Sequence, residues 1–104
     1  MLDKLKEMTG GDEQRMQLYL ETYHEGVEEF INGLSAAYDL QDHGIARDIA
    51  HGAKPLFTVM GFDHLWQLAN QIEVTDPSET DVINKGIKDL VREMRRSLDA
   101  LKSR

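Results

Sequence analysis

Apolar residues recur at three- and four-residue intervals along almost the whole chain, and no stretch sustains the two-residue alternation of a half-buried strand. Met16, Leu20, Tyr23, Val27, Phe30, Ile31, Leu34 and Ala37 make one continuous stripe. It predicts a long helix that starts after Asp12, its N-cap, and runs to about Leu40. Gly26 and Gly33 lower the helix propensity without shifting the phase. Ahead of it, a short helix over about Asp3 to Met8 ends at Thr9-Gly10-Gly11. Gln41-Asp42-His43-Gly44 reads as a turn.

A third helix starts near Ile45 and carries Ile45, Ala46, Ile49, Ala50, Ala53, Leu56, Phe57 and Met60, with Gly61 as its stop. The phase continues through Pro55, so one bent helix is expected and not two. Leu65, Leu68, Ala69 and Ile72 define a fourth helix of about three turns. Val74 to Glu79 is the longest loop, with Asp76-Pro77 as a cap-plus-first-turn signal. Ile83, Ile87, Leu90, Met94, Leu98 and Leu101 carry the last helix to the end of the chain. The pattern predicts an all-α fold: an up-and-down antiparallel four-helix bundle with a short extra N-terminal helix, as a single domain over residues 1–104.

Composition narrows the chemistry. With no cysteine, disulfides, thiolate metal sites and cysteine nucleophiles are excluded. No apolar run reaches the length of a membrane span, so no membrane insertion is expected, and Met1 to Glu7 does not read as a signal peptide. A net charge of −7 argues against nucleic-acid binding, which needs a basic face. The acids crowd the first half of the chain. Arg92, Arg95, Arg96, Lys102 and Arg104 near the end suit the negative pole of a helix better than a binding patch.

The third helix breaks a local rule. Gly52 and Pro55 cost roughly 1 and 3 kcal/mol relative to alanine in a helix interior, and such exceptions gather at functional sites. At ~100° per residue, Gly44, Arg47, Asp48, Lys54, Pro55 and Thr58 all lie near His51, opposite the apolar set. His51 should therefore centre a solvent-facing stripe, with Lys54 one turn away. An accessible neutral imidazole can attack a phosphoryl group, and an ammonium beside it can offset the phosphoryl charge. On spacing alone, an ordinary surface histidine and lysine are the better account of the pair, because polar helix faces are full of such pairs.

Ala50-His51, Lys54, Pro55, Gly61, Leu65, Leu68 and Ile72-Glu73 together resemble the signature of histidine-containing phosphotransfer (HPt) domains, the relays of multistep two-component signalling. The Leu2, Leu5, Thr9-Gly10-Gly11-Asp12 opening and the long second helix are similar to that family too. The resemblance implies phosphorylation of His51 on Nε2, with Lys54 as electrostatic partner of the phosphoryl group and Glu73 as acceptor from Nδ1–H. Such a carboxylate fixes the tautomer and leaves Nε2 its lone pair. Arg47, Asp48, Gly52, Pro55 and Thr58 would form the partner-docking surface. Pro55 departs from the family pattern, where a glycine or small polar residue is usual, and removes an N–H.

The implied function is a phosphocarrier, not an enzyme, passing a phosphoryl group between receiver-domain aspartates. No glycine-rich nucleotide loop is present. Its partners would be response-regulator receiver domains and a sensor histidine kinase. No intrinsic cofactor or metal is expected, the Mg²⁺ coming with the receiver, and the location would be cytoplasmic. An accessible His51 with small neighbours suits a monomer. One alternative is a non-catalytic helical adaptor for the same partners. Another is a metal-binding carboxylate and histidine bundle, for which Glu21-x-x-His24 and Asp48-x-x-His51 have the loose spacing. His43 and His64 read as surface residues, Tyr23 as core, and Met8, Met16, Met60 and Met94 as core or near-core filling. Phe62 and Trp66 are open between core and partner surface.

Overall fold

The computed structural model describes residues 2–102; Met1, Ser103 and Arg104, with the cation expected at the tail's end, lie outside the described residues. Five helices follow one another: α1 (Asp3–Thr9), α2 (Glu13–Leu40), α3 (His43–Met60), α4 (Asp63–Val74) and α5 (Thr80–Lys102). The last four form the antiparallel bundle, in which α3 packs against α2 and α4, and α5 closes the ring against both α2 and α4. Short α1 rests across α2 and α3. The long axis of 46 Å is set by α2, whose 28 residues span about 42 Å at 1.5 Å per residue.

Each helix buries the stripe that its sequence marks. Tyr23, Val27 and Leu34 of α2, Ala50, Ala53, Phe57 and Met60 of α3, Leu65, Ala69 and Ile72 of α4, and Ile83, Leu90 and Met94 of α5 meet in one core. Leu20, Phe30, Ile49 and Leu56 sit half-buried at its rim. Ile45, expected inside, and Met8, expected in or near the core, are each 46% exposed. Small residues let α2 and α3 approach closely. A Cβ on Gly33 would stand 2.8 Å from Ile49 Cδ1, and one on Gly26 would stand 3.1 Å from Leu56 Cδ2.

The ends of the helices follow from local chemistry. Asp12 caps α2, its Oδ1 accepting from the backbone N–H of Gln14 and Arg15 at 2.9 and 3.1 Å. Asp42 accepts from the Ile45 N–H at 3.0 Å. That cap starts α3 at His43, so two residues expected in the turn belong to its first turn. Gly10 and Gly61 end α1 and α3 in the left-handed conformation. Pro55 lies inside α3, which continues through it without a break.

Asp76-Pro77 does not open the last helix. Asp76 Oδ1 instead accepts from the N–H and the hydroxyl of Ser78, closing a separate turn, and α5 begins at Thr80. Along α5, Asp89 pairs with Lys85 and Arg92, and Glu93 pairs with Arg96, so the basic tail is braced by acids of its own helix. Lys102 stands in the last turn, where a cation is favourable. Among the described residues, no helix is long and apolar enough to cross a membrane.

Candidate functional site

His51 stands where helical geometry puts it, on the outer face of α3 with its side chain 70% exposed. Its neighbour across the α3/α4 seam is Glu73, in the last turn of α4. Nδ1 of His51 and Oε2 of Glu73 form a short hydrogen bond. An ionised carboxylate only accepts, so the ring proton sits on Nδ1 and a neutral imidazole presents its lone pair at Nε2. Among the described residues Nε2 has no protein partner.

The other carboxylate oxygen is taken by Lys54, whose Nζ donates to Glu73 Oε1 at 2.6 Å. Lys54 also donates to Asn70 Oδ1 at 3.0 Å, and its ammonium lies 4.7 Å from the centre of the Trp66 ring. Its side chain is only 17% exposed. The expectation that Lys54 stands free on a solvated face is therefore corrected. The flank of α3 that carries it is covered by α4, which places the ammonium over the Trp66 indole. Glu73 answers to both partners. Its carboxyl is held below its ordinary value, first by the Lys54 hydrogen bond and then by His51.

The residues assigned to the docking surface divide. Asp48, Gly52, Pro55 and Thr58 are exposed around His51. Nothing lies within 4 Å of where a Gly52 Cβ would stand, so the approach beside the imidazole is open. Thr58 Oγ1 donates to the Lys54 carbonyl at 3.1 Å. Pro55, lacking an N–H, leaves the His51 carbonyl without its regular helical donor. Arg47 behaves differently. It turns along the seam and donates from Nε and Nη2 to the backbone carbonyl of Glu73, at 3.2 and 3.0 Å.

The sequence reading missed Asn70 and Trp66 as members of this site, and left Trp66 open. The signal was present: positions 66, 70 and 73 share one face of α4 at four- and three-residue spacing. Phe62, the other open aromatic, belongs to the core side, its ring edge-on to Tyr23 with centroids 5.3 Å apart. His43 is more than a surface residue. Its Nε2 meets Asn84 Oδ1 of α5 at 3.1 Å, and Asn84 Nδ2 donates to Gln41 Oε1 at 3.1 Å, tying the α2/α3 turn to α5.

The metal-bundle spacing is not brought together in space. His24 pairs with Glu28 on its own helix at 3.0 Å, whereas His51 pairs with Glu73. Comparison of the chain with protein-family models, with curated proteins and with solved structures gave no match. The chemistry of the site therefore rests on its own geometry.

Proposed function

We propose that this chain is a histidine phosphocarrier of the HPt kind, relaying a phosphoryl group between receiver-domain aspartates through His51. The observation that carries the reading is one carboxylate shared by two partners. Glu73 holds Nδ1–H of a well-exposed His51 with one oxygen and the Lys54 ammonium with the other.

In the proposed transfer, the Nε2 lone pair attacks phosphorus of an aspartyl phosphate in line. An N–P bond forms as the P–O bond to the receiver carboxylate breaks, and that carboxylate leaves with the electron pair. Positive charge gathered on the ring is offset by Glu73 through Nδ1–H. Lys54, one turn along α3, offsets the charge of the incoming phosphoryl oxygens. The receiver brings its own Mg²⁺. Attack on phosphohistidine by a second receiver's aspartate reverses the steps. The protein is then a substrate and carrier, not an enzyme, with receiver domains and a sensor histidine kinase as its partners. The reading carries with it a monomer acting in the cytoplasm.

Incubation with a phosphorylated receiver tests it. The protein should gain acid-labile, base-stable label, which His51→Gln abolishes and His24→Gln, His43→Gln and His64→Gln leave in place. Full labelling of the His51→Gln protein overturns the assignment. A receiver that binds the wild-type protein without transferring label favours the adaptor instead.

A further inference from the structure

Glu73 is the penultimate residue of α4, a place where a helix frays most easily. Its carbonyl is among the last four of the helix, which have no intrahelical donor, and Pro77 four residues on has no N–H to offer it. The last turn of α4 also contains no basic residue to meet the negative pole of the helix. Left to itself, the turn that holds the Glu73 carboxylate has an orphaned carbonyl and no cation.

Arg47 supplies both from the neighbouring helix. Its guanidinium donates twice to the Glu73 carbonyl and puts a positive charge at the α4 terminus. Arg47 lies four residues before His51 and Lys54 lies three after, so three side chains of one α3 face converge on Glu73. Lys54 and His51 hold its carboxylate; Arg47 holds its backbone.

We infer that Arg47 is a positioning residue: it pins the last turn of α4 so that the Glu73 carboxylate stays on Nδ1 of His51, and it does not serve chiefly as a docking contact. The inference rests on the phosphocarrier reading of His51 only for its consequence in transfer; the pinning itself is present in the resting protein. A docking contact acts when the partner arrives, whereas a pin acts before it does. The two roles separate cleanly in experiment.

Arg47→Met and the milder Arg47→Lys, which keeps the charge but loses the paired donors, test it in two arms. In the first, without any partner, nitrogen-15 spectra of the His51 ring report the Nδ1–H tautomer, and amide exchange reports residues 71–74. Arg47→Met is expected to mix the tautomers and to speed exchange in that turn, with Arg47→Lys between it and wild type. In the second arm, transfer from a phosphorylated receiver should fall about tenfold at saturating receiver, as expected when a reacting group loses its alignment. A higher half-saturating concentration with an unchanged saturated rate overturns the inference and makes Arg47 a docking residue. An unaltered His51 spectrum with unaltered exchange in Arg47→Met also overturns it. If wild-type protein takes no label, the function fails, while the first arm still decides what Arg47 does. Should Arg47→Met not fold, Arg47→Lys carries both arms.

Discussion

Replacing Gly52 by alanine should make the protein more stable and less able to pass phosphate. Gly52 lies in the middle of α3 with nothing within 4 Å of the position a Cβ would take. The added methyl meets no clash, so the usual helix penalty of glycine is recovered in full, about 0.5–1 kcal/mol. For a domain of this size that corresponds to a rise in Tm of about 2–8 °C. Gly86 of α5 is the internal control. Its Cβ would stand 3.0 Å from Cγ1 of Ile72, a side chain that is 1% exposed and has no room to retreat. Overpacking of that kind costs about 1–3 kcal/mol, more than the helix gain, so Gly86→Ala should lower Tm. Thermal and urea unfolding followed by circular dichroism give both values. In parallel, the Gly52→Ala protein should accept label from a phosphorylated receiver more slowly, because the methyl occupies the open approach beside His51. A Gly52→Ala protein no more stable than wild type would show that the glycine answers to something in the fold. Greater stability with undiminished transfer would show that the open approach is not why it is there.

Two further outcomes follow from the titrating groups. Glu73 has its carboxyl lowered from an ordinary 4.5, so its contribution to stability is fully present above that value and is lost as pH falls through the lower folded value. Glu73→Gln should therefore flatten the acid limb of stability in urea unfolding as pH falls below the ordinary carboxyl value of 4.5; an unchanged slope would refute the coupling to Lys54 and His51. Tyr23 has its phenol pushed up to about 12 by burial, and its hydroxyl lies 2.6 Å from Ser97 Oγ, which itself donates to the Met94 carbonyl at 2.6 Å. Since Ser97 spends its proton on that carbonyl, Tyr23 is the donor, and Tyr23→Phe should cost about 0.5–1.5 kcal/mol in urea unfolding with no effect on transfer.

How far the sequence carries depends on the range of the interaction. The stripe from Met16 to Ala37, the Asp12 cap and the Gly61 stop are decisions made within a turn or two of chain, and each is legible in residue order. The start of α3 is less so. His43 and Gly44 have turn character, and only the Asp42 cap, together with the Asn84 contact from α5, draws them into the helix. Asp76-Pro77 misleads for a related reason: the Asp76 carboxylate finds Ser78 two residues on, before any helix can claim it.

The histidine–lysine spacing on α3 and the polar face that holds it are set by the 3.6-residue period, and the sequence alone fixes them. It points to a helical bundle as well, because four apolar stripes leave water by packing against one another. What the partners of Glu73 are was decided by packing. The α3/α4 seam lays Trp66 under Lys54, turns that ammonium inward to Glu73 and Asn70, and brings Arg47 to a carbonyl left open at the end of α4. Those contacts join residues 12 to 26 apart in the chain. A helical period states which residues share a face; it does not state which neighbouring face they will meet, at what height, or under whose side chain.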